Sequence, residues 1–153
     1  MGMPAKGSIG GAAAALALML GACSAPPKLS VDNAWVRLSA VPNGPAAAYF
    51  TLHGGRTDAT LISVSADVAV RSEMHESMTG ARGMSGMHPL DRVVVPAEGD
   101  VAFAPGGRHV MLFNVNPGIR PGGHRVLLTL TFADGRRLQR NATVLGAGDE
   151  AAE

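Results

Sequence analysis

Residues Arg125 to Phe132 alternate without a break, with Val126, Leu128, Leu130 and Phe132 on one side and Leu127, Thr129 and Thr131 on the other. A period of two over eight residues is that of a strand with one buried face; a helix would scatter the same residues around its circumference. Ala133-Asp134-Gly135-Arg136 follows, and its Asp-Gly pair is a tight hairpin signal, so Leu138 to Leu145 is expected to return as the partner strand. Strand-like runs are read at 29–38, 46–53, 60–64, 68–75, 93–95, 101–104 and 109–115, separated by turns such as Val41-Pro42-Asn43-Gly44-Pro45 and Pro105-Gly106-Gly107. Twenty glycines and ten prolines in 153 residues punctuate the chain too densely for a helical bundle. Nine or so short strands predict an all-β antiparallel sandwich with Greek-key links, a small barrel being the alternative. The length suits one domain, and 46% hydrophobic residues suffice for its core.

The N-terminus reads as an address. Ile9 to Ala22 is a small-residue apolar run of about 14, which suits a signal peptide better than a membrane span of about 20. It ends in Leu20-Gly21-Ala22-Cys23, which resembles a bacterial lipobox: an aliphatic residue, two small ones, then the cysteine that is lipidated and becomes the mature N-terminus. The alternative is a secretory peptide cut at Ala22 or Ala25, with Cys23 incidental. The expected organisation is a signal peptide over 1–22, a lipidated tether over 23–28 containing Pro26-Pro27, a β-sandwich over 29–145 and a disordered acidic tail over 146–153. The protein is thereby expected on the outer, periplasmic side of a membrane, held by a lipid anchor.

Cys23 is the single cysteine, so an internal disulfide and a thiolate-rich zinc or iron–sulfur site are excluded. Without Lys6 the mature chain carries twelve basic and twelve acidic side chains, and no basic run of five. A nucleic-acid groove needs a clustered positive face, so no nucleic-acid partner is expected. Phosphate-loop and dinucleotide glycine patterns are absent. No serine or cysteine nucleophile has a recognisable context, so the chain is not expected to be an enzyme.

Methionine is the unusual residue. Of eight, Met74, Met78, Met84, Met87 and Met111 fall in one quarter of the chain, together with His75, His88 and His109. Thioether is a soft donor and imidazole a borderline one; together, without thiolate, they favour Cu(I) over zinc, magnesium or calcium. In His109-Val110-Met111, residues i and i+2 of a strand point the same way, so one strand can present both donors to one ion. His75 and Met87 flank a Gly-rich segment, Thr79 to Gly86, expected as a loop that brings two more donors alongside. A four-donor set of His75, Met87, His109 and Met111 results.

These residues resemble the signature of the periplasmic copper chaperone (PCuAC) family: His, ten residues, Met, twenty-one residues, His-x-Met. Twenty-one residues separate Met87 from His109, and eleven separate His75 from Met87, one more than the signature has. The extra residue is tolerable in a loop, and it leaves Met84 open as the loop ligand in place of Met87. Flanking text supports the match: Ala34-Trp35-Val36-Arg37, Ala47-Ala48-Tyr49-Phe50, Met74-His75-Glu76 and Leu128-Thr129-Leu130-Thr131-Phe132. The resemblance implies a cupredoxin-like β-sandwich that binds Cu(I). It also implies delivery of copper to the CuA subunit of cytochrome c oxidase, directly or with a Sco-type copper protein. A monomer is expected.

Each residue also has a plainer reading. Methionines often fill core gaps. Met74 is expected in the core, facing away from His75, and Trp35 is expected there too. Met78 and Met84 are auxiliary donors or exposed loop residues. His88 is expected at the surface, and His53 and His124 are read as solvated. Glu76 is either a partner that orients His75 or a solvated carboxylate. An electron-transfer cupredoxin would need a cysteine ligand, and Cys23 lies in the leader. A copper-buffering or copper-resistance lipoprotein with no delivery target would use the same ligands, and the sequence leaves that alternative open, as it does a purely structural sandwich.

Overall fold

The computed structural model describes residues 1–4, 7 and 25–151. The leader run from Ile9 and the lipobox cysteine Cys23 lie outside the described residues. Ten strands form β1 (Ser30–Arg37), β2 (Ala46–His53), β3 (Ala59–Ala66), β4 (Ala69–Thr79), β5 (Ser85–Pro89), β6 (Val93–Val95), β7 (Asp100–Phe103), β8 (Arg108–Val115), β9 (Arg125–Phe132) and β10 (Arg137–Leu145). The hydrogen-bonded order is β5-β4-β8-β2-β1-β10-β9-β3-β6, with β7 also pairing β2. The path folds over on itself, so that β3 lies against β4 without pairing to it. The cupredoxin-like sandwich expected from the sequence is the fold observed. Its pairs are antiparallel with one exception: β1 and β10 run parallel, with Trp35 opposite Thr143.

Alternation decides what fills the interior. On β9, Val126, Leu128, Leu130 and Phe132 are fully buried, as the period predicts. Ala46, Ala48, Phe50 and Leu52 of β2 face the same core, and Phe50 stacks on Phe103 of β7 at 4.4 Å between ring centres. Val110 and Leu112 of β8 and Met74 of β4 complete the wall beneath the His/Met segment.

Two expectations are corrected. Trp35 is not in the core. A bulge between Asp32 and Trp35, with Asn33 at φ 48°, inserts one residue into β1. Val31 and Val36 therefore both point inward while Trp35 turns outward, half-buried, stacked on Tyr49 at 4.3 Å and beneath the Arg37 guanidinium. The segment Thr79 to Gly86 is not all loop. β4 continues to Thr79, a short 3-10 turn spans Ala81–Gly83, and β5 returns from Ser85. Both faces of this hairpin tip are exposed, so nothing selects for apolar alternation and the sequence carries no strand signal there. At the start of the tail, the Asp149 carboxylate accepts from the Gly146 N–H at 2.6 Å, and Arg37 donates to the Asp149 carbonyl at 3.0 Å.

Candidate metal centre

β4 sits between β5 and β8, and the register of these three strands sets the centre. His75 is directly opposite His109, Glu73 opposite Met111, and Ser77 opposite Met87. Met74, Val110 and Leu112 point into the core, so their neighbours along each strand point outward. His75, His109 and Met111 thus share the outer face of the β4–β8 pair. Met87 joins them from β5, because cross-strand partners project to one side. The strand is held in place by main-chain bonds from the Ser77 N–H to the Gly107 carbonyl (3.0 Å) and from the Leu90 N–H to the Met74 carbonyl (2.8 Å).

The imidazoles lie edge to face, 5.9 Å apart at 84°. His109 is the buried polar residue of the described chain, with 6% of its surface exposed. Its Nδ1 lies 3.0 Å from the Gly107 carbonyl oxygen. A carbonyl only accepts, so Nδ1 carries the proton and Nε2 keeps its lone pair for a metal. His75 is arranged the other way round. Its Nε2 faces the Glu73 Oε2 atom at 3.3 Å, and its Nδ1 is buried with no hydrogen-bond partner. A buried polar atom without a partner is costly unless a bound ion or ligand satisfies it. The donor set on this face, two imidazoles and two thioethers, is of the kind that suits a soft cation. Among the described residues no three His, Cys, Asp or Glu side chains converge on one point, so a harder ion finds no carboxylate cage.

The methionines separate by exposure and by face. Met87 is 58% exposed, at the open edge of the site, while Met111 is half-buried. Met78 sits opposite Gly86 and projects to the other side of the hairpin from His75 and Met87. Met84 ends the 3-10 turn before β5 begins, and its carbonyl accepts from the Gly80 N–H. The register thus brings Met87, rather than Met84 or Met78, onto the face of the two histidines. His88 is exposed and pairs with Glu76, also on the opposite face.

The carboxylate beside His75 is Glu73 and not Glu76, which turns to Arg108 at 3.4 Å. The signal was present in the sequence: i−2 on a strand shares a face and i+1 does not. Arg71 continues the row, its Nη1 3.2 Å from Glu73 Oε1 and its guanidinium 4.2 Å from the centre of the Phe113 ring. His53 also departs from expectation. It is clasped between Asp100 (2.7 Å to Nδ1) and Asp32 (3.0 Å to Nε2), and those hydrogen bonds, Asp100's foremost, push its pKa up. His124 hydrogen-bonds the Arg120 main chain.

Comparison with known proteins places the chain in a family. The LpqE-like family, a lipoprotein family by its description, matches residues 29–144. The chain belongs to the LpqE-like family. That family is itself PCuAC-like, in agreement with the resemblance drawn from the motif. Among solved structures, this LpqE-like chain is similar to the Cu(I) form of DR1885 from Deinococcus radiodurans in solution, with 30% identity, 84% of each chain covered and a TM-score of 0.55. The copper-bound PCuAC domain from PmoF2 shares the fold at 22% identity and a TM-score of 0.63, over 80% of this chain and 97% of that one. A lipoprotein of Leifsonia xyli subsp. xyli, Lxx21020, is 27% identical over 108 residues, 70% of this chain. The match spans 63% of that relative's length.

Proposed function

We propose that this LpqE-like chain is an extracytoplasmic Cu(I)-binding metallochaperone, anchored on the periplasmic side of the membrane through Cys23. It holds the ion with His75, Met87, His109 and Met111 and passes it to the CuA site of cytochrome c oxidase, directly or with a Sco-type protein. The observation that carries the reading is the His75–His109 pair. Two imidazoles face each other across adjacent strands, and each holds a nitrogen free of other hydrogen bonds. The thioethers of Met111 and Met87 flank them on the same face. DR1885, solved in a Cu(I) form, and the copper-bound PmoF2 domain support the choice of metal.

Chaperoning asks for a site that an acceptor's ligands can reach. Met87 lies on the exposed edge strand β5, so it is the natural ligand to leave first as an incoming thiolate or imidazole takes its place. Buried His109, tied to Gly107, is the fixed end of the site. The test is a Cu(I) competition titration followed by transfer to an isolated CuA domain and to a Sco-type protein. One Cu(I) per chain, lost in the double variant His109→Ala, Met111→Ala, is expected, with transfer to at least one acceptor. Unchanged affinity in the double variant refutes the site. Binding without transfer to either acceptor refutes delivery and favours a copper buffer.

A further inference from the structure

We infer that Glu73 is a positioning residue for the metal centre: it holds His75 so that Nδ1, and not Nε2, is the nitrogen offered to copper. The inference rests on the Cu(I)-site reading and deepens it. Four observations converge. The Glu73 Oε2 atom lies 3.3 Å from His75 Nε2, and a carboxylate oxygen beside a ring nitrogen favours the tautomer whose proton is on that nitrogen, Nε2. His75 Nδ1 is buried and partnerless, so its lone pair is not committed to any protein donor. Glu73 is itself fixed through its other oxygen, Oε1, 3.2 Å from Arg71. Arg71 in turn lies on the face of Phe113, its partner across β8.

Phe113, Arg71, Glu73 and His75 therefore form a row along the outer face of the β4–β8 pair, built on the i, i+2, i+4 spacing of β4. His109 is fixed by a different device, a main-chain carbonyl on Nδ1, which leaves Nε2 as its donor. The two imidazoles present opposite nitrogens. From facing strands whose side chains emerge side by side, one ring then reaches the ion with its near nitrogen and the other with its far one. A carboxylate partner also makes the imidazole a stronger electron donor, and losing such a partner lowers metal affinity by about 10–100-fold.

The experiment is long-range proton–nitrogen correlation NMR on the copper-free and Cu(I)-loaded protein, with Cu(I) competition titrations of variants. In the copper-free protein, His75 should carry its proton on Nε2 and His109 on Nδ1. On loading, the nitrogen shift should fall on Nδ1 of His75 and Nε2 of His109. Glu73→Ala should mix the His75 tautomers and weaken Cu(I) about 10–100-fold. Glu73→Gln keeps an oxygen acceptor and should recover the tautomer and most of the affinity. Glu76→Gln, whose side chain faces Arg108, should change neither. A His75 proton on Nδ1 in the copper-free wild type, copper attached to His75 Nε2, or a Glu73→Ala protein indistinguishable from wild type would each overturn the assignment. Absence of Cu(I) binding by the wild type would overturn the function instead, and the copper-free tautomer measurement would still judge Glu73.

Discussion

Val110 and Met111 are chain neighbours that serve opposite faces of β8, and exchanging each for alanine should separate stability from metal binding. Val110 is fully buried between the sheets. Val110→Ala removes two methylene equivalents at about 0.8 kcal/mol each and leaves a small cavity, so it should cost about 2 kcal/mol in all. For a domain a little over 100 residues long, that lowers the melting temperature by about 6–12 °C. Its Cu(I) affinity, measured well below the transition, should stay within about threefold of wild type, because no methyl of Val110 reaches the outer face. Met111→Ala loses a half-buried side chain and should cost about 1 kcal/mol or less. It also removes one of the four proposed donors, so Cu(I) should weaken by more than about the 10–100-fold typical of losing an outer partner. Thermal unfolding by circular dichroism and Cu(I) competition against a chromophoric chelator read both quantities. If Val110→Ala weakened copper as much as Met111→Ala did, or if Met111→Ala melted below Val110→Ala, the assignment of faces on β8 would be wrong.

Other outcomes follow from features away from the centre. His53 has its pKa raised by Asp100 and Asp32, so its contribution to stability is full below about pH 6.5, the unfolded value, and is lost as pH rises through the higher folded value. Urea midpoints measured from about pH 5.5 to 8.5 should fall with pH in the wild type, and less steeply in His53→Gln. A Cβ at Gly54 would stand 1.9 Å from the Pro96 carbonyl oxygen, so Gly54→Ala should cost more than about 2 kcal/mol in chemical denaturation. Gly135 has φ 87° in the β9–β10 turn, where Gly135→Val should destabilise by about 1 kcal/mol or more, and Gly135→Asn by less.

The alternating strands needed no tertiary information, because a strand with one wet face and one dry face writes its period into the residues. β9 lies where that period put it, and β10 where the Asp-Gly hairpin signal returned it, within a residue at each end. The β4–β5 hairpin tip was not legible, since exposure on both faces removes the contrast that makes a strand visible. Trp35 was misplaced for a related reason. Period-two counting from Val31 puts it inside, and only the bulge at Asn33, stabilised by its neighbours in the folded sheet, shifts the count by one.

At the centre the division is the same. His109 and Met111 share a face by virtue of strand geometry alone, so their pairing was fixed by local sequence. Which other donors join them depends on strand register across long separations in the chain. His75 comes opposite His109, and Met87 rather than Met84 comes opposite Ser77, only once β4 is sandwiched between β5 and β8. The exchange of Glu76 for Glu73 belongs to this class: both are near His75 in the chain, but the pleat turns one toward it and the other toward Arg108. The sequence by itself determined the β architecture, the clustering of soft side chains and the strand that carries both His109 and Met111. Tertiary structure decided which side chains meet and which ring nitrogens stay free, because register and hydrogen-bond direction are properties of paired strands and not of either strand alone.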